Sequence, residues 1–131
     1  MYLNYLEEDE KIAFLKLAHI IANSDDDFCE NEKIVIGSYC NEMGVEDFEV
    51  NLTEDLKGIC CEFNNSKSKR VVILELMSII NANGEFKKSE KLIIDQLVTN
   101  FEIGEDYLEN VQNWSNALLD IVDQGFELID I

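Results

Sequence analysis

The stretch "NANGEFKKSEKLIIDQL", residues 81–97, has a near echo 58 residues earlier in "NSDDDFCENEKIVIGSY", residues 23–39. With that offset, Ile21 meets Ile79, Asn23 meets Asn81 and Phe28 meets Phe86; Glu32, Lys33 and Ile36 meet Glu90, Lys91 and Ile94. Six identities fall in the sixteen positions 21–36, where average residue usage gives about one. The apolar skeleton continues beyond that window. Ile36, Tyr39, Cys40 and Met43 recur at i, i+3, i+4 and i+7, and Ile94, Leu97, Val98 and Phe101 do the same. Each copy reads as the start of an amphipathic helix entered from a polar loop, and a doubled unit of this kind is an internal repeat.

A second helix precedes each loop. Phe14, Leu17, Ala18 and Ile21, widened by Ile12 and Leu15, form one apolar stripe, and Ile73, Leu76, Met77 and Ile80 form another. Each unit is therefore helix, loop of about five residues, helix, a connection length normal for packed helical neighbours. Between the units Leu52, Leu56, Ile59, Cys60 and Phe63 share a face, followed by the polar run "NNSKSKR" at 64–70. After the second unit, Val111, Trp114, Leu118 and Val122 mark a last helix, with Gly125 as its expected stop. The expectation is one all-α domain over 1–131, a compact bundle of about six helices. Repeat one spans about 9–48, a spacer helix about 52–64, repeat two about 70–107 and a C-terminal helix about 105–125. Neither unit can bury both its stripes alone, so the two are expected to face each other with pseudo-twofold symmetry.

Composition agrees with helices. The 131 residues include no proline and only six glycines, and 47% are hydrophobic. A chain of this length buries about 68% of the surface its unfolded form exposes. The apolar run "VVIL" at 71–74 is far too short to span a bilayer, and the start "MYLNYLEEDEK" lacks the basic and apolar regions of a secretory leader. Four cysteines without a C-x-x-C spacing then read as free thiols in a reducing cytoplasm, the expected location.

The formal charge is −18. Up to Asn64 there are 16 acidic and 4 basic residues, −12; the remainder has 12 and 6, −6. Such a field repels phosphate backbones, so direct nucleic-acid binding is disfavoured, while cations and basic protein surfaces are attracted.

The loops concentrate this charge. Asp25, Asp26, Asp27, Glu30 and Glu32 place five carboxylates within eight residues. Hard divalent ions take oxygen ligands, and a cation relieves the repulsion of crowded carboxylates. Asp25, Asp27 and Glu32 are the candidate ligands, for calcium, magnesium or manganese; no cofactor is fixed by the sequence. The EF-hand spacing is not met, and the second loop carries Asn83 and Lys87-Lys88 instead. A reading without a ligand also accounts for the pattern. Phe28 and Phe86 can pack inward as hydrophobic staples, and Glu32 and Glu90 can cap the first turns of their helices.

No arrangement for catalysis emerges. His19 is the single histidine, and it falls on the apolar side of its helix, opposite Met77 under the 58-residue offset. Nucleophile motifs, phosphate-gripping glycine loops and paired metal-protease motifs are absent from the sequence, and the expectation is that the protein is not an enzyme.

"ANSDDDFCENEK" and "NANGEFKKSEK" resemble the two "aDGe(hydrophobic)xxxE" stretches of the TerB-like family, bacterial tellurite-resistance TerB proteins and their relatives. The resemblance extends over nearly the whole chain, including "SKSKRVVILELMSII" before the second loop. Asp25 matches the family's aspartate and Gly84 its glycine, while Asp26 and Asn83 stand at the complementary positions. The resemblance implies a compact all-helical domain of the kind that accompanies stress-response gene sets or rides as an accessory domain on other proteins, with no assigned chemistry. The expected role is thus a non-catalytic acidic module for a basic protein partner. A divalent-cation binder using the first loop is the alternative, and a nucleic-acid mimic the weaker one.

Overall fold

The computed structural model describes residues 1–24, 30–81 and 86–130, with Asn31 described by its backbone alone. Among the described residues the chain is all-helical, without strands. A 3₁₀ turn at Leu3–Tyr5 leads into α1 (Glu8–Ala22), α2 (Glu30–Met43), α3 (Leu56–Cys60), α4 (Ser66–Asn81), α5 (Lys88–Asn100) and α6 (Glu105–Ile129). α1 and α4 are the central pair, and α2, α3, α5 and α6 pack around them.

The four stripes read from the sequence form the core. Phe14, Leu17, Ala18 and Ile21 on α1 and Ile73, Leu76, Met77 and Ile80 on α4 are all fully buried, and Ile36, Tyr39, Cys40 and Met43 on α2 and Ile94, Leu97, Val98 and Phe101 on α5 are buried against them. The rings interlock edge to face: Phe14 with Tyr39 at 5.1 Å between centroids, Phe63 with Phe101 at 5.7 Å. Ile12 departs from the expectation. It is 39% exposed, on the flank of α1 away from the core.

Helix ends follow local chemistry. Glu10 and Glu90 each stand third in their helix and accept the backbone N–H of the preceding cap residue, Glu7 N to Glu10 Oε1 at 2.9 Å and Lys87 N to Glu90 Oε1 at 3.0 Å. These bonds satisfy a donor at the cap itself and place a negative charge at the positive end of the dipole. Asn65 caps α4 by accepting from Ser68 N at 2.8 Å, so the helix begins inside the polar run 64–70, before the start near residue 70 expected for repeat two. α2 and α5 both close through a residue in the left-handed region, Gly44 (φ 69) and Glu102 (φ 57). In each case the next residue donates back across the turn, Val45 N to Cys40 O at 3.1 Å and Ile103 N to Val98 O at 3.0 Å. This is the bonding of a Schellman closure.

Three boundaries differ from those read in the sequence. The spacer helix is Leu56–Cys60 rather than 52–64, capped by Asp55 accepting from Lys57 N, and Leu52 is 47% exposed in the loop before it. The last helix passes through Gly125 to Ile129. A helical glycine costs only about 1 kcal/mol relative to alanine, too little to end a helix whose neighbours favour it. The N-terminal segment, which precedes the first expected repeat, inserts Leu3 and Leu6 into the core.

Candidate functional site

Charge and shape converge between α5 and α6. The closing turn at Glu102 turns the chain from one helix into the other and leaves a groove of about 640 Å³ between them. Val98, Ile103, Leu108 and Phe86 make its apolar floor, each buried or partly buried against the core. Asp95, Glu102, Glu105 and Glu109 stand exposed around it, with Lys91 as the one cation of the lining. Phe86 was read as a staple. It packs partly against the core and offers its remaining surface to the groove.

The acidity extends beyond the groove. From Leu92 onward the chain has nine acidic residues and no lysine or arginine. Elsewhere, five of the ten basic side chains are held by carboxylates or aromatic rings. Lys11 pairs with Glu8 at 3.0 Å, Lys16 with Glu54 at 3.1 Å and Lys33 with Glu30 at 3.5 Å. In the short basic run, Lys67 lies 3.8 Å from the centroid of the Tyr5 ring and Arg70 5.0 Å from that of Tyr107. The Tyr107 hydroxyl also donates to Arg70 O at 3.0 Å. Cations held over aromatic faces contribute to packing and leave less positive surface to oppose the carboxylates.

Of the three candidate metal ligands, Asp25 and Asp27 lie outside the described residues, as does Phe28. Glu32 is 1% exposed and occupies the third position of α2, the same position Glu90 holds in α5. Among the described residues no cluster of three histidine, cysteine or acidic side chains could hold a metal ion. His19 is largely buried, and its Nε2 lies 2.8 Å from Asp47 Oδ1 on the loop after α2, tying that loop to α1. The adjacent thiols have unlike surroundings: Cys60 is buried and Cys61 exposed. Burial, reinforced by the neighbouring Cys61, pushes the Cys60 thiol up to about 11, which disfavours the thiolate that a soft metal needs. No described helix is long and apolar enough to cross a membrane.

Sequence reading missed Glu75. It is 5% exposed and accepts the Tyr2 N–H at 2.8 Å, while Glu42 accepts that of Leu3 at 2.9 Å. The Met1 amino nitrogen lies 2.7 Å from Glu42 and 3.1 Å from Glu75. The signal was present, because Glu75 is the one charged residue of "VVILELMSII". A lone carboxylate on a buried stripe demands partners. The groove left no comparable mark, since its carboxylates are scattered among many.

Comparison with protein-family models, with curated proteins and with solved structures finds no match to this chain.

Proposed function

We propose that the chain is a non-catalytic, acidic interaction module of the TerB-like kind, a stress-response accessory domain whose partner presents a basic protein surface. One observation carries the reading: an apolar-floored groove ringed by Asp95, Glu102, Glu105 and Glu109, in a segment with no basic residue after Lys91. An apolar floor with a charged rim is the anatomy of a protein-binding patch, and a field of one sign selects partners of the other.

The doubled architecture behind the TerB-like resemblance has support in the element positions. α4 begins at Ser66, 58 residues after α1 at Glu8, and α5 at Lys88, 58 after α2 at Glu30. The left-handed closures at Gly44 and Glu102 keep the same spacing, as do the third-position glutamates Glu32 and Glu90. Independent helices have no reason to share starts and closures at one interval. Two copies of a single unit do.

The test is capture of host proteins at low salt by the wild-type chain and by a variant with Glu105→Lys and Glu109→Lys. These residues are exposed, so the variant should fold. Partners should be retained by the wild type, released as salt shortens the screening length from about 30 Å at 0.01 M to about 8 Å at 0.15 M, and lost with the charge-reversed chain. Equal capture by both chains, or no salt dependence, refutes the reading.

A further inference from the structure

α6 is 25 residues long, about 37 Å, and among the described residues its buried positions, Val111 and Ser115, lie in its first half. It runs parallel to α4: Tyr107 bonds to Arg70, and the Asn81 side chain at the end of α4 donates to the Ser115 hydroxyl. Val111 and Ser115 are buried, and Trp114 stacks obliquely on Tyr2 with ring centroids 6.2 Å apart. There α4 ends. From Asn116 to Asp130 every residue is exposed except Leu118, which is half-buried.

The apolar stripe of α6 runs on past Ser115. Val111, Trp114 and Leu118 continue at helical spacing into Ile121, Val122, Phe126 and Ile129, with Phe126 64% and Ile129 75% exposed. Asp123 and Asp130 run along the edge of this stripe beside Phe126, with Asp120 and Glu127 behind them, and no cation lies anywhere on the helix. Interfacial membrane helices carry lysine and arginine on their polar face, the opposite of this one. A second copy laid antiparallel would set the same acidic edges against each other.

We infer that the second half of α6 is a docking surface for a basic amphipathic helix of another protein. Its apolar side covers Ile121, Val122, Phe126 and Ile129, and its lysines or arginines meet Asp123 and Asp130. The inference deepens the acidic-module reading, on which it rests, and names a surface other than the α5–α6 groove. Helix-in-groove recognition of this kind reads anchors at i, i+3 or i+4, and i+7.

The test uses the full chain and fluorescein-labelled synthetic peptides of about five helical turns: an amphipathic Leu/Lys helix, the same composition scrambled, and a Leu/Glu version. Anisotropy should show the Leu/Lys helix binding at least about tenfold tighter than the scramble, with no Leu/Glu binding. The exposed double variant Phe126→Ser, Ile129→Ser should weaken binding about tenfold or more, while Glu105→Lys with Glu109→Lys should leave it unchanged. Equal affinity for scrambled and amphipathic peptides, or indifference to the double variant, overturns the inference. So does a dimer in sedimentation that the same double variant abolishes. Peptide binding lost only with the groove variant leaves the acidic-module reading standing and removes this one, whereas no binding by any basic peptide removes both.

Discussion

Gly44 and Glu102 hold the same left-handed backbone, φ 69 and φ 57, at the closing turns of α2 and α5, and the residues after them donate to Cys40 and Val98 across identical spans. Glycine occupies that conformation without penalty. An L residue with a Cβ meets the following carbonyl, at a cost of about 1–2 kcal/mol. Glu102 is the one described non-glycine residue to do so.

Glu102→Gly should therefore raise stability, by about 0.5–1 kcal/mol once glycine's greater unfolded freedom is subtracted. Gly44→Ala should lower it by about 1 kcal/mol. An added Cβ at Gly44 meets nothing within 4 Å, so that cost is conformational rather than steric. Urea midpoints of the two variants should move in opposite directions with unchanged slopes. A Glu102→Gly midpoint at or below wild type contradicts the account.

The Glu75 carboxylate, buried on α4, binds the N-terminal segment through Tyr2. Glu75→Ala should cost about 1–3 kcal/mol, because the Tyr2 N–H loses a charged acceptor in a half-buried place. The exposed Glu49→Ala is a control expected to fall within about 0.5 kcal/mol of wild type. Trp114 packs against Tyr2, so its fluorescence should change in the Glu75 variant alone.

The buried stripes were legible because helical period and burial are one constraint: Phe14, Leu17, Ala18 and Ile21 recur as they do only because one face of α1 meets the core. Glu90 was legible as a cap for an equally local reason, since its partner is three residues away. What depended on distant neighbours was not. Leu3 and Leu6 are too few to show a period, and Glu42 and Glu75, far along the chain, bond the backbone that carries them inward. Gly125 misled because a stop signal competes with the helix preference of both its flanks. The groove depends on how α6 leaves α5, which the backbone at Glu102 sets and no residue type announces.

The cysteines should differ sharply in reactivity. Cys61 is exposed, whereas Cys40 and Cys60 are buried and their thiols are pushed up, Cys60 to about 11. The thiolate is the nucleophile, so at neutral pH iodoacetamide should alkylate Cys61 well before either. Peptide mapping by mass spectrometry distinguishes the sites. Labelling of Cys60 at the rate of Cys61 in the folded protein contradicts the packing of α3 against α5.

Tyr39 sets an alkaline limit on the fold. Its hydroxyl lies in the core, donating to the Glu75 carbonyl oxygen, and burial first, then the Glu75 charge, holds its ionisation well above the ordinary tyrosine range. In the unfolded chain the same phenol ionises near pH 10. Below that pH both states keep the proton and stability does not depend on it. Above it the unfolded state sheds a proton that the folded state retains, so the unfolding free energy falls with rising pH until the folded chain ionises too. Urea midpoints should accordingly be flat with respect to this group up to about pH 10 and decline beyond it. Tyr39→Phe, although less stable at neutral pH, should show a shallower alkaline decline. An identical slope in the variant would mean that Tyr39 ionises freely in the folded state, against its place between Phe14 and α4.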